Sequence, residues 1–217
     1  MKHYVRSLIR LIFGLFLYAL GLFFTIQANI GLAPWEAFSI GVSYLTQLSY
    51  GDIVVITGLV IVVLDFALHE KVGLGTILNA ILVGKFVDLI QLTNLLPTMT
   101  NSISGVLMLL LGQAIICVGS YFYIGAGLGC GPRDTLMVAL GKRMPRLPIG
   151  VVRGLLEGIV LIVGWLLGAK VGIGTAIYVL GIGFVFQLTC KLLHFDVKNI
   201  EHESIVATVK AFLPLRD

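Results

Sequence analysis

Two acids, Glu36 and Asp134, sit at matching places in Gly31-Leu32-Ala33-Pro34-Trp35-Glu36 and Gly129-Cys130-Gly131-Pro132-Arg133-Asp134, 98 residues apart. Each follows a proline by two residues. A proline fits the first position of a helix, where its missing N–H costs nothing. Each acid therefore falls in the first turn of a helix that begins after a glycine-bearing break. Two carboxylates converging inside a membrane suit a cation, a proton relay or an amine, because intramembrane acids are costly and tend to be functional. The competing reading is local: an acid in the first turn stabilises its own helix by about 0.3–1 kcal/mol through the macrodipole. Both readings stay open, and they are compatible. Arg133 has Trp35 as its counterpart. It can pair with Glu36 or Asp134, or hold an anionic group, or simply set topology beside Lys142 and Arg143. Trp35 fits an interfacial anchor better than a ring that stacks on substrate.

Other polar residues interrupt the apolar runs. Arg153 and Glu157 are four apart and share a helix face; Lys85 and Asp88 are three apart and do the same. Both are expected to be intramembrane ion pairs, structural before functional. Asp65, near the end of an apolar run, reads as interfacial. Thr76, Thr175 and Asn79 are candidates to hydrogen-bond the broken segments and join a substrate site. No enzyme signature is present: there is no nucleophile elbow, no Walker loop and no paired metal-binding histidine. Cys117, Cys130 and Cys190 are odd in number and without motif spacing. No catalytic residue, cofactor or metal is expected, and the chain is read as a non-enzyme.

The elements that must position these residues follow from composition. Of 217 residues, 58% are hydrophobic and 12% charged, about half the charge of a soluble domain. The mean hydropathy is +1.03. Apolar runs near 18 residues mark six spans, at about 8–27, 53–68, 74–92, 104–124, 149–167 and 174–192. The stretch after each break is shorter. Residues 34–48 as helix measure roughly 22 Å, against a hydrocarbon core of about 30 Å. These two short helices are expected to enter the membrane without crossing it.

Lys71-Val72-Gly73-Leu74-Gly75-Thr76 returns as Lys170-Val171-Gly172-Ile173-Gly174-Thr175, 99 residues on. Gly31, Pro34 and Glu36 match Gly129, Pro132 and Asp134 at 98. Gly14, Gly21 and Ala28 match Gly112, Gly119 and Ala126. Gly131, before Pro132, belongs to the same break. The chain thus reads as one all-α integral membrane domain, 1–217, made of two three-span repeats, 8–92 and 104–193, each with a short broken helix. A tail, 196–217, has an amphipathic pattern. Gly73, Gly75, Gly172 and Gly174 are expected to allow tight turns and close helix approach. With both termini inside, 12 of the 15 basic residues fall on the inner side, and the linker 93–102, free of basic residues, falls outside. Three crossings per repeat then make the repeats inverted. Two short helices that did cross would make them parallel, and helix length and the linker favour inversion.

The Gly-Leu-Ala-Pro-Trp-Glu, Lys-Val-Gly-Leu-Gly-Thr and Gly-Cys-Gly-Pro-Arg-Asp boxes together resemble the YczE/YyaS/YitT-type family of bacterial multi-pass membrane proteins. The resemblance runs to about Leu193. It implies a place in the bacterial inner (cytoplasmic) membrane, and supplies neither substrate nor catalytic residue. Three functions remain. The first is a small-solute carrier whose site lies between the repeats, lined by Glu36, Asp134 and Arg133. The second is a non-transporting regulator or assembly partner that docks through its tail. The third is the substrate-capturing subunit of an uptake system. The expected partners are the lipid bilayer, a small molecule or ion, and a second copy or another membrane protein. The net charge of +4 requires no nucleic acid, since topology alone accounts for it.

Overall fold

The computed structural model describes residues 2–195, 200, 203 and 205. Among them the chain is all helix: α1 (Lys2–Gln27), α2 (Pro34–Thr46), α3 (Tyr50–Ala67), α4 (Leu74–Leu92), α5 (Ser102–Ile124), α6 (Pro132–Arg143), α7 (Ile149–Leu166) and α8 (Ile173–Leu192). Six are long and apolar enough to cross a membrane: α1, α3, α4, α5, α7 and α8. α2 and α6 are not. They have 13 and 12 residues, about 20 Å or less at 1.5 Å per residue. The expected spans agree with these helices to within a few residues, α1 excepted, which begins earlier. The amphipathic tail lies almost entirely outside the described residues.

The local chemistry sets these boundaries. Pro34 and Pro132 open α2 and α6 at their first turns. Ser49 caps α3 by accepting from the Asp52 N–H at 3.0 Å, and Asn101 caps α5 by accepting from the Ile103 N–H at 2.9 Å. The two breaks share one backbone path. Gly31 and Gly129 have φ of 131° and 129°, a region open to glycine and closed to most side chains. Asn29 and Gly127, two residues earlier in each break, are also left-handed, at 55° and 72°.

α1 and α5 form the spine, the most extensive packing in the molecule. They meet at glycines. A methyl group on Gly14 would stand 2.8 Å from the Gly119 carbonyl oxygen, and one on Gly119 would stand 2.8 Å from that of Gly14. Gly21 and Gly112 face each other likewise, at 2.7 and 2.9 Å. Because Gly14 meets Gly119 and Gly21 meets Gly112, the two helices run antiparallel. Leu11, Leu15, Leu22, Val83, Val87 and Ile116 fill the core around this contact. Outward faces carry exposed Leu, Ile, Val and Phe, as expected against lipid.

Each break is held by the other half of the chain. The Gly174 N–H donates to the Ile30 carbonyl at 2.9 Å, and the Gly75 N–H donates to the Leu128 carbonyl at 2.7 Å. Gly73 and Gly172 give the room: a methyl group on Gly172 would lie 2.7 Å from the Ile30 oxygen. Irregular backbone at membrane depth is tolerated only where protein or water satisfies it, and here the start of α8 serves the first break while the start of α4 serves the second. The short helices are exchanged in the same manner. α2 packs on α7, and α6 packs more lightly on α3.

Candidate functional site

The exchanged short helices bring their first turns to one cavity of about 940 Å³. Trp35, Glu36, Arg133 and Asp134 all line it, with Asn79, Tyr18, Tyr123, Tyr178, Arg153 and Glu157. Arg133 joins the two halves. Its guanidinium lies 3.5 Å from the Glu36 carboxylate and 4.7 Å above the Trp35 ring. Of the partners the sequence allowed Arg133, Glu36 is the one it takes. Trp35, read as an anchor, instead forms part of the cavity wall and stacks under an arginine.

Asp134 is placed differently. Its carboxylate is open to the cavity, and the Tyr123 hydroxyl donates to it at 3.5 Å. Around Gly131, a methyl group would find the Asp134 carboxylate at 3.4 Å, the Asn79 amide nitrogen at 3.7 Å and the Tyr123 hydroxyl at 3.7 Å. Among the described residues no cation lies within ion-pair distance of Asp134. Burial pushes the Glu36 carboxyl above the usual range, with Arg133 pulling it down. Arg153 and Glu157 pair at 2.8 Å on α7, and both face the cavity rather than a neighbouring helix. At one end of the cavity Lys142 of α6 reaches Glu70 at 2.7 Å, tying α6 to the α3–α4 turn.

Two expectations are corrected. Lys85 does not pair with Asp88. Lys85 bonds Asp52 at 2.5 Å, while Asp88 accepts from the Ser49 hydroxyl at 2.5 Å and the Gly51 N–H at 2.8 Å. The start of α3 offers Asp88 a free N–H and a hydroxyl, a better fit for a carboxylate than an ammonium on its own helix. Thr76 and Thr175 do not reach the cavity. Each is buried at the start of its helix, accepting from the N–H of Gly73 at 3.3 Å and of Gly172 at 3.2 Å. Their hydroxyls lie against Gly129 and Gly31 of the opposite breaks, so their work is structural. Asp65, near the end of α3, is buried within the protein, and among the described residues neither carboxylate oxygen has a hydrogen-bond partner.

The sequence reading missed Tyr18, Tyr123, Tyr178, Cys117 and Cys130, all on the cavity wall. One signal was available: Tyr178 stands 99 residues after Asn79, the spacing at which Lys71-Val72-Gly73 returns as Lys170-Val171-Gly172. Among the described residues no group of three His, Cys, Asp or Glu could hold a metal ion. The cavity offers two arginines, four carboxylates (Glu36, Glu70, Asp134 and Glu157) and tyrosine hydroxyls to a small polar or amphipathic ligand.

A family described as a family of unknown function, DUF6198, matches residues 5–191, and the chain belongs to that family. It is 32% identical over 183 residues to an uncharacterized protein of Haemophilus influenzae, covering 84% of this chain and 83% of that one. It is 29% identical over 208 residues to the uncharacterized membrane protein YczE of Bacillus subtilis, covering 93% of each. It is 25% identical over 191 residues to the uncharacterized protein YyaS of Bacillus subtilis, covering 86% of this chain and 94% of that one. No solved structure matches. The chain is thus a multi-pass membrane protein of the YczE and YyaS type.

Proposed function

We propose that this protein is a small-solute carrier of the bacterial inner membrane, with both termini inside. One observation carries the reading: a cavity of about 940 Å³ inside a membrane bundle, into which the broken-helix starts of both halves deliver Glu36, Arg133 and Asp134. Broken helices meeting at a polar site between two repeats are a plan of secondary transporters. Charged side chains at such depth face a pathway or a partner. A protein needing only a helix cap would keep the acids; it would have no use for a mixed-charge chamber behind them.

The same reading takes the two repeats as inverted. The antiparallel α1–α5 contact supports it, because these are the equivalent first helices of the two repeats. The positive-inside balance supports the orientation. α2 and α6 then re-enter from opposite faces.

The test is thermal unfolding of the detergent-purified protein against metal cations, amines and small metabolites, in wild type, Glu36→Gln and Asp134→Asn. A ligand of the native state raises stability by about 2.7 kcal/mol at a hundredfold excess over Kd. A shift in wild type that disappears in equally folded variants is the expected result. No shift with any solute would count against a carrier and favour the regulator or assembly partner.

A further inference from the structure

The two repeats differ where they would be expected to match. In the first, α3 and α4 are closed. Gly51 backs onto the Gly84 backbone, and a methyl group on Gly84 would stand 3.1 Å from the Gly51 carbonyl carbon. Further along, one on Gly58 would stand 2.9 Å from the Ala80 methyl. In the second, α7 and α8 stand apart and scarcely touch. The counterparts of Gly51 and Gly84, at 99 residues, are Gly150 and Gly183. A methyl group on either would find nothing within 4 Å. Gly154 and Gly158 on α7 are equally open.

The closed pair is also latched. Asp88 on α4 accepts from the Ser49 hydroxyl and the Gly51 N–H at the start of α3, and Lys85 on α4 bonds Asp52 on α3. The residues 99 positions on from Ser49, Asp52, Lys85 and Asp88 are Pro148, Val151, Phe184 and Gln187. The ammonium–carboxylate bond is lost, Pro148 has no hydroxyl to donate, and Gln187 offers only a neutral amide oxygen where Asp88 has a carboxylate. So the second pair retains the glycines of the first contact, Gly150 and Gly183, carries Glu157 and Val179 where Gly58 meets Ala80, and lacks the charged bonds that fix α3 on α4. The cavity reaches this gap: Arg153 and Glu157 of α7 and Tyr178 and Gly183 of α8 line it from the two sides.

We infer that α7 and α8 are the moving gate of the cavity, closing Gly150 against Gly183 as Gly51 closes on Gly84, while α3–α4 is a fixed wall. This goes beyond the carrier reading by assigning the motion to one half. With the termini inside, α7 begins at the inner face, and the parted pair opens the cavity inward. The latched start of α3 closes it outward.

The gate can be tested without knowing the solute. Pairs of nitroxide labels would be placed on exposed positions, Val151 and Leu188 for α7–α8, Ile56 and Leu89 for α3–α4, in a protein with its three cysteines replaced. Distances would be read by pulsed electron resonance in lipid nanodiscs, diluted with unlabelled protein so that only intrachain distances register. Gly183→Leu should fold, since the space beside Gly183 is open, yet it should block closure as a side chain at Gly84 would block α3–α4. The expected result is two α7–α8 distances in wild type, the shorter one lost in Gly183→Leu, and one α3–α4 distance in both. A single α7–α8 distance in wild type, a short distance that survives Gly183→Leu, or two α3–α4 distances would each overturn the gate. Solute binding is read separately, so a rigid α7–α8 pair with a ligand shift removes the gate alone, and a moving pair with no ligand removes the carrier alone.

Discussion

Gly84→Ala and Gly183→Ala are the same change at matching sites, yet the structure assigns them opposite outcomes. At Gly84 the new methyl group would meet the Gly51 backbone, with the carbonyl carbon at 3.1 Å, the α-carbon at 3.2 Å and the oxygen nearer still. Backbone cannot swing aside as a side chain can, so α3 and α4 must separate. Overpacking of this kind costs about 1–3 kcal/mol, and separation also stretches the Asp88 bonds to Ser49 and Gly51. Replacing a helical glycine with alanine returns about 1 kcal/mol of propensity. The net expectation for Gly84→Ala is a loss of roughly 1–2 kcal/mol once the latch is included. At Gly183 there is nothing to strike, so only the propensity gain of up to about 1 kcal/mol remains. The two variants should differ by roughly 1–3 kcal/mol, or about 2–12 °C in unfolding midpoint at 2–4 °C per kcal/mol. Thermal unfolding in detergent, followed by circular dichroism, reads this directly. Equal destabilisation by the two changes would refute the claim that one pair is closed and the other open.

Asp65→Ala should leave stability unchanged or raise it, because it removes a fully buried carboxylate with no hydrogen-bond partner, a group costly to bury; a large fall in midpoint would mean that Asp65 is paired. Thr76→Val and Thr175→Val should each lower stability by about 1 kcal/mol through loss of the cap, leaving ligand binding intact, since neither lines the cavity; chemical denaturation together with the ligand panel checks both halves. Burial holds Glu36 above its ordinary range, and that of the unfolded chain is about 4.3. A raised acid favours the folded state below the unfolded pKa and loses that advantage as pH climbs through the folded value. The midpoint of Glu36→Gln minus that of wild type should therefore grow more positive from about pH 4 upward, and a flat or falling difference would show that Arg133 outweighs burial.

The spans were legible because apolar length survives any detail of packing: 74–92 and 149–167 agree with α4 and α7 to within a residue. The breaks were legible because Gly31 and Gly129, with Pro34 and Pro132 after them, constrain the backbone directly. The approach of Glu36 and Asp134 to one cavity could be anticipated from their matching places after Pro34 and Pro132, whereas Arg133, matched by Trp35, was placed only by the fold. What failed were pairings decided by tertiary neighbours. Lys85 and Asp88 share a helix face, which permits a bond, but the start of α3 presented each with a better partner. Thr76 and Thr175 were chosen as donors near the breaks, and they are near; the capping demand of their own helices took their hydroxyls. Asp65 sits near the end of an apolar run, and only packing could reveal that its side chain is buried among its neighbours. For the parted α7–α8 pair the glycines are silent, since Gly150 and Gly183 look the same as those that close α3–α4; the signal lies in Pro148, Val151, Phe184 and Gln187, which stand where the latch residues Ser49, Asp52, Lys85 and Asp88 are.

The central claim is that a solute occupies the chamber between the two repeats and crosses from it. The most direct measurement is uptake into proteoliposomes, using radiolabelled amines and metal cations with wild type and Asp134→Asn side by side. Wild type should take up at least one solute saturably, and the equally folded variant none above empty liposomes. A solute that stabilises wild type through Asp134 but never enters the liposomes would contradict it.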